Sequence, residues 1–372
     1  SKHFNLCIQC RACEPACPSG VQYGKLIETT LSLNTRYRKS RLQRLATWIL
    51  LSQILARQRR LTFFVSVLRL YQKSGFQYMI RRSGILRLIS KRLASLENSS
   101  PPIPKIYFQA SGQITKPIGA ERANVALLSG CVMPLINGPQ MLAATRVLTQ
   151  NGCTVIVPKS QVCCGSIHSH SGELDMAREL ARRNIDIFLT SQVDTIVTTS
   201  AGCGVRMKEY GDLLNSDPEY SEKSKRISSM VKDIHEFLVE LPFTPPQGEL
   251  NYEVTYQDPC HLAQAQRIVK APRKLLQSIP GVSLVEMNNS SSCCGAGGIY
   301  SITQREFSLK LLDTKMEAVS ETQTSVVATA NPGCYIQLQH GARRNRIPIR
   351  VRYVTDLLDE SYQAEERTLS LT

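Results

Sequence analysis

The sequence predicts an α+β protein overall: a small cysteine-rich module, a basic helical segment, and two duplicated α/β Cys-Cys-Gly domains with mostly parallel sheets. Three observations lead there. Four cysteines crowd into residues 7–17 at short, regular spacing. Acidic residues are absent between Thr29 and Leu96, while fifteen Lys and Arg remain there. From about residue 122 onward, strand and helix patterns alternate through two copies, around cysteines that recur at matching intervals.

The first region, residues 1–30, contains Cys7, Cys10, Cys13 and Cys17, with Pro18 directly after. This is C-x2-C-x2-C-x3-C-P, the ligand run of a ferredoxin-type [4Fe-4S] module. Tetrahedral zinc also accepts four cysteines, but its C-x2-C pairs are usually separated by a longer insert. Three cysteines in direct i, i+3, i+6 succession suit a cluster. In two-cluster proteins the fourth cysteine ligates the other cluster, so Cys17 raises the question of where that cluster's remaining ligands lie.

Residues 31–96 form the basic segment. The chain's net charge of +15 resides there, because the other 30 basic residues balance the 30 acidic ones. Apolar runs, "LATWILLSQILA" and "LTFFVSVL", alternate with the arginines. The longest uncharged run of the segment is twelve residues, between Arg44 and Arg57, short of the roughly 20 a spanning helix needs. Basic charge interleaved with Leu, Ile, Phe and Trp suits an amphipathic helix on an anionic membrane surface or a partner subunit. Residues 36–92 are therefore expected to associate with a membrane surface, and no nucleic-acid partner is expected. The Ser- and Pro-rich "ENSSPPIPK" opens a linker, residues 97–121.

The copies occupy residues 122–245 and 246–365. In the first, "NVALLSGC" ends at Cys131, a helix over 140–152 and the strand "CTVIVP" follow, and "VCCGS" carries Cys163 and Cys164. A helix over 173–192 and a strand then lead to Cys203. In the second, Cys260, the pair Cys293 and Cys294, and Cys334 repeat the scheme. Cys131 to Cys163 spans 32 positions and Cys260 to Cys293 spans 33; Cys164 to Cys203 spans 39 and Cys294 to Cys334 spans 40. Cys131, Cys203, Cys260 and Cys334 each follow a strand, the rim where open α/β sheets bind ligands. Each set of four is a candidate metal site for a further iron–sulfur cluster or zinc; the bland alternative is buried structural cysteine. Cys153 has no counterpart and reads as core. Gly295, Gly297 and Gly298 are expected where backbone comes close to the metal site. His168, His170 and His261 read as outer groups rather than ligands.

Thirteen cysteines, an odd number with adjacent pairs, point to metal-bound thiolates in a reducing cytoplasm rather than a disulfide framework. The chain opens at Ser1 with no signal pattern and reads as processed or as a fragment. No paired carboxylates, activated serine or flavin fingerprint stands out, so no catalytic residue is assigned and substrate oxidation is expected on another subunit.

Taken together, "CIQCRACEPACPSGVQY", "SGC", the two "CCG" motifs, "SAGCGVRMKEYGDLL" and "ANPGC" resemble the iron–sulfur subunits of glycolate oxidase (glycolate dehydrogenase). The wider group includes lactate-utilisation and heterodisulfide reductase subunits. The resemblance implies a FAD-containing glycolate dehydrogenase partner, a quinone or other electron acceptor, and a position on the inner face of the membrane. It also implies a first ferredoxin run upstream of Ser1, which would supply the other ligands for Cys17; alternatively Cys17 closes a single cluster with Cys7, Cys10 and Cys13. Heterodisulfide reductase subunits end each repeat in C-x2-C, whereas here Arg206 and Gln337 stand three residues after Cys203 and Cys334. Thiol/disulfide chemistry is therefore the alternative reading, beside a zinc-stabilised scaffold carrying one relay cluster.

Overall fold

The computed structural model describes residues 2–38 and 40–369. Lys39 of the basic segment lies outside them. The N-terminal cysteines sit on a loop and the short helix Cys13–Ala16, followed by the long helix Tyr23–Arg38. The basic segment is helical, as its composition predicts: Arg41–Trp48, a π-helical stretch Ile49–Leu55, Gln58–Lys73, Phe76–Ser83, Ile85–Ile89 and Lys91–Asn98. Ser40 caps the first of these, its hydroxyl accepting from the Gln43 backbone N–H while the Gln43 side chain accepts from the Ser40 N–H.

Among the described residues nine strands make two sheets: β1 (Ile114–Thr115), β2 (Ala123–Leu127), β3 (Cys153–Ile156), β4 (Thr195–Thr198), β5 (Val231–Asp233), β6 (Tyr252–Tyr256), β7 (Val282–Val285), β8 (Val326–Thr329) and β9 (Arg350–Tyr353). The first sheet runs β1-β3-β2-β4-β5 and the second β7-β6-β8-β9. Every pairing is parallel except β1 with β3. The order β3-β2-β4-β5 thus reappears as β7-β6-β8-β9, and the duplication seen in cysteine spacing is a duplication of topology. β1 falls inside the stretch expected to be pure linker. It pairs with the edge of the first sheet, Ile114 opposite Ile156, and so covers backbone groups that an open edge would leave exposed.

The repeats do not bury themselves separately. Val125, Leu127 and Val155 of the first sheet share one core with Val254, Tyr256 and Val326 of the second and with Leu357 and Leu358 of the terminal helix Val354–Leu369. That terminal helix packs on Gly138–Gln150 of the first repeat, where Arg146 pairs with Asp359 at 2.6 Å and the Asn151 side chain donates to Tyr362 Oη at 3.0 Å. Conversely Ile234–Glu240 packs on Lys270–Gln277 of the second. Each repeat's last helix covers the other repeat, which holds the two strand rims in one orientation.

Candidate metal centres

Around Cys10 the chain adopts a costly conformation. Gln9 and Arg11 have φ of 59° and 61°, a left-handed backbone that disfavours any residue with a Cβ. Both side chains are tied down. The Gln9 Nε2 donates to the His170 carbonyl at 2.9 Å, and Arg11 pairs with Glu14 at 2.9 Å and with Glu209. The twist turns the Gln9 backbone N–H onto the Cys7 Sγ at 3.4 Å. Cys7, Cys10 and Cys17 are half-buried and Cys13 is exposed. Burial raises the Cys7, Cys10 and Cys13 thiols, backbone N–H groups oppose this, and neighbouring thiolate charge adds to it; for Cys13 those neighbours include both Cys7 and Cys17. Four thiols in mutual charge range, with amides aimed at sulfur, fit an iron–sulfur cluster's needs.

In the first repeat the four cysteines come together at the carboxyl ends of β2, β3 and β4. The Cys131 and Cys163 sulfurs are 3.5 Å apart, and thiol hydrogen bonding continues from Cys163 to Cys164 and from Cys164 to Cys203. One thiol bond comes first in raising each of Cys163, Cys164 and Cys203, from Cys131, Cys163 and Cys164 in turn. At Cys163 and Cys164 the bond to the next thiol opposes it, and burial and thiolate repulsion outweigh that opposition. In the second repeat Cys260, Cys293, Cys294 and Cys334 form the same chain of contacts. The Cys260 thiol is raised first by its bond with Cys293 and then by burial. At Cys293 and Cys294 one thiol partner favours the thiolate, but the other partner and burial outweigh it. The thiols so raised favour their protonated form, and an added metal charge would release the protons. Among the described residues, no three or more Cys, His, Asp or Glu side chains surround a single-ion position; the thiols are strung pairwise instead.

At Gly295 and Gly297 of the second Cys-Cys-Gly loop the backbone comes close to other parts of the protein. Gly165 and Gly295 have φ of 89° and 85°, and a Cβ on Gly295 would lie 2.3 Å from the Ser308 carbonyl oxygen. On Gly297 it would lie 2.8 Å from Ile8 of the N-terminal module. The close approach at both positions is to protein, a helix in one case and the cysteine loop in the other. Cys153 is fully buried in the core, its thiol pushed up to about 11 by burial, as its apolar strand predicts.

The histidines divide. His168 is fully buried beside the first set, its Nδ1 4.0 Å from the Cys163 Sγ and its Nε2 3.3 Å from the Leu51 carbonyl of the basic segment. His261 lies 3.6 Å from the Cys260 Sγ through Nδ1. Burial, then His170 and Arg11, push its pKa down to about 3. His170 faces the N-terminal module, with Nδ1 2.9 Å from Gln9 Oε1 and 3.1 Å from Glu28 Oε1.

The three cysteine sets are joined. Tyr300 donates to the Leu6 carbonyl at 2.9 Å, and the charges of Cys10 and Cys260 oppose each other. Asn331 accepts from the Gly202 N–H at 3.3 Å beside Cys203, while its amide lies 3.7 Å from the Cys334 Sγ. Buried Arg206 pairs with Glu28 of the helix behind the N-terminal loop and lies 3.7 Å from Glu209. Burial alone would raise the Glu28 carboxyl, yet Arg206 and His170 hold it down at about 2.

Sequence reasoning missed this joining network, and it missed Lys315. That ammonium, 1% exposed, donates to the Asn289 and Ser290 carbonyls at 2.8 and 3.1 Å, within charge range of Cys294, Cys334 and Cys293. In the first repeat Asn184 bonds the backbone of Val162 and Cys163. Asn184 is 20 positions after Cys164 and Lys315 is 21 after Cys294, so aligning the copies beyond their cysteines would have revealed the exchange of amide for cation.

Comparison with known proteins accords with this arrangement. Residues 1–23 match the 4Fe-4S binding domain and residues 125–208 and 254–339 the cysteine-rich domain. The chain is thus an iron–sulfur protein that carries electrons as one subunit of an oxidoreductase. Residues 42–99 match the linker region of the glycolate oxidase iron-sulfur subunit. A Bacillus subtilis (strain 168) protein named "Probable glycolate oxidase iron-sulfur subunit" is 39% identical over 368 residues, covering 97% of this chain and 82% of that protein. The Escherichia coli (strain K12) glycolate oxidase iron-sulfur subunit is 26% identical over 98% of this chain and 83% of its own length. Lactate utilization protein A of Anoxybacillus flavithermus (strain DSM 21510 / WK1) is 28% identical over 63% of this chain and 99% of its own. The chain belongs to the glycolate oxidase iron–sulfur subunit family.

Proposed function

We propose that this chain takes electrons from a FAD-containing subunit that oxidises glycolate to glyoxylate and passes them towards a quinone or other acceptor. Cys7, Cys10, Cys13 and Cys17 are the ligands of the N-terminal [4Fe-4S] module, residues 1–30. Cys131, Cys163, Cys164 and Cys203 hold a centre in residues 122–245, and Cys260, Cys293, Cys294 and Cys334 hold one in residues 246–365. An iron–sulfur cluster supplies one-electron chemistry at such a site. The protein's part is to hold the thiolates, keep the sites close and exclude water from the paired cysteines. The observation that carries this reading is adjacency: Cys10 and Cys260 lie within charge range, and Asn331 spans from the Cys203 loop to Cys334.

Iron, sulfide and zinc analysis with electron paramagnetic resonance, on the chain purified without oxygen, tests it. Iron and sulfide beyond one cubane's worth, with more than one reducible signal, is the expected result. One cluster with zinc in the repeats would reduce them to a scaffold and overturn the relay through them.

We infer that the complex rests on the inner face of a membrane, a reading supported by the make-up of the basic segment. No helix among the described residues is long and apolar enough to cross one. Phe63, Phe64, Val67 and Leu70 form an exposed stripe on Gln58–Lys73 while Val65 is buried on its other side. Exposed Trp48, Met79 and Leu88 extend the apolar surface among basic residues, the make-up of an interfacial helix. Neutralising Arg57, Arg59 and Arg60 should weaken pelleting with anionic vesicles, and unaltered pelleting would leave the segment a purely intramolecular cover.

A further inference from the structure

A cavity of about 690 Å³ opens where the end of the basic segment meets the second repeat. Its walls are Phe76–Ser83, Ile85–Ile89 and Lys91–Asn98 on one side, and Arg305–Glu321 and Pro332–Asn345 on the other. Six cations line it: Arg81, Arg87, Lys91, Arg305, Arg343 and Arg344. No carboxylate does.

Two of the six are neutralised from outside the lining, Arg81 by Glu97 at 2.9 Å and Arg344 by Asp313 at 3.2 Å. Arg305 spends its N–H groups on Ser95, on Ser99 and, at 3.4 Å, on the Nε2 of His340. Accepting that bond requires a neutral His340 ring. Burial and then Arg305, Arg343 and Arg344 push the His340 pKa down to about 4. Arg87, Lys91 and Arg343 have neither an ion pair nor a side-chain hydrogen bond among the described residues. Arg343, like Arg87 and Lys91, is exposed to solvent at the mouth of the cavity, where partial desolvation and then Arg81 weigh against its charge. A fold that gathers four un-neutralised cations around a hollow, and keeps the one lining histidine uncharged, is arranged for an anion larger than a chloride.

We propose that this cavity binds an organic phosphate, with Arg87, Lys91 and Arg343 as its principal contacts. Guanidinium forks match phosphate oxygens two at a time, and an ammonium adds a point charge. The volume leaves room for the group that carries the phosphate, being within the range of small-molecule sites. The headgroup of an anionic phospholipid and a soluble phosphorylated metabolite share this chemistry. Leu88 and Ile89, on the helix that supplies Arg87, are exposed and would meet an acyl chain in the first case.

The test uses the full, cluster-loaded chain in two titrations. One is with pyrophosphate; the other is with phosphatidylcholine vesicles containing or lacking phosphatidylglycerol. Arg87→Gln with Lys91→Gln, and separately Arg343→Gln, should weaken pyrophosphate binding about tenfold or more, the worth of one charge-assisted contact. Lys270→Gln with Lys274→Gln, two exposed residues outside the lining, removes as much charge away from the cavity and should leave pyrophosphate binding unchanged. Displacement of bound pyrophosphate by phosphatidylglycerol vesicles identifies a lipid headgroup as the source, and its retention identifies a soluble phosphate. Equal effects from the cavity and control variants, or no pyrophosphate binding by the parent chain, overturn the proposal.

Discussion

Replacing Glu28 by Gln should cost about 3 kcal/mol of stability while keeping shape and volume nearly unchanged. The Glu28 and Arg206 side chains are 9% and 6% exposed. The carboxyl is held at about 2 against its ordinary 4.5. At ~1.36 kcal/mol per pK unit that depression corresponds to ~3 kcal/mol. Among the described residues the variant leaves a buried guanidinium with only Glu209, at 3.7 Å, as a carboxylate partner, a situation that typically costs about 3–5 kcal/mol. The native carboxyl is depressed, so its contribution is fully present above about pH 4.5 and is lost as pH falls towards 2. Urea unfolding of parent and variant, followed by circular dichroism, should therefore give a penalty that is constant from pH 7 to 9. Glu28→Gln combined with Arg206→Met should recover most of it, because a matched apolar replacement of a buried pair is often near neutral. A penalty below about 1 kcal/mol, or no recovery in the double variant, would refute the view that this pair fastens the N-terminal module to the first repeat.

The two Cys-Cys-Gly glycines should differ. Both Gly165→Ala and Gly295→Ala force a left-handed residue, at about 1–2 kcal/mol, but only at Gly295 does the new Cβ meet a backbone oxygen at 2.3 Å, against 3.3 Å for the nearest atom at Gly165. Overpacking should make Gly295→Ala the worse by about 1–3 kcal/mol in the same unfolding assay; equal penalties would count against the geometry. Changing Cys163 and Cys164 together to Ser should release the metal of one repeat only, and unchanged metal content would remove those thiols from the ligand set. Lys315→Met should lower the reduction potential of the second-repeat centre in a redox titration followed by electron paramagnetic resonance, since a buried cation beside the thiolates favours the added electron. A potential that holds or rises would mean the Lys315 charge is screened from the site.

Much of this protein was legible from order alone. Ligand runs are local, so Cys7 to Cys17 announce their chemistry by spacing, and a duplicated gene product keeps its intervals, so the two sets of four cysteines could be matched before any strand was seen. Charge segregation is equally linear, which is why residues 31–96 stood apart. Even the rim position of Cys131, Cys203, Cys260 and Cys334 follows from strand-then-loop order in parallel sheets.

What order could not show is contact between distant segments. Arg11 with Glu209, Arg206 with Glu28 and Asn331 with Gly202 join residues 198, 178 and 129 positions apart. Nothing in the linear pattern distinguishes these from surface charges or a loop amide. The exchange of terminal helices between repeats, the edge strand β1 within an expected linker, and the cationic cavity between the basic segment and the second repeat have the same origin. Each exists because apolar faces far apart in sequence bury one another, and that burial fixes which polar groups are left to meet. Sequence determined which thiols, charges and folding units this protein has; tertiary packing decided which of them stand side by side.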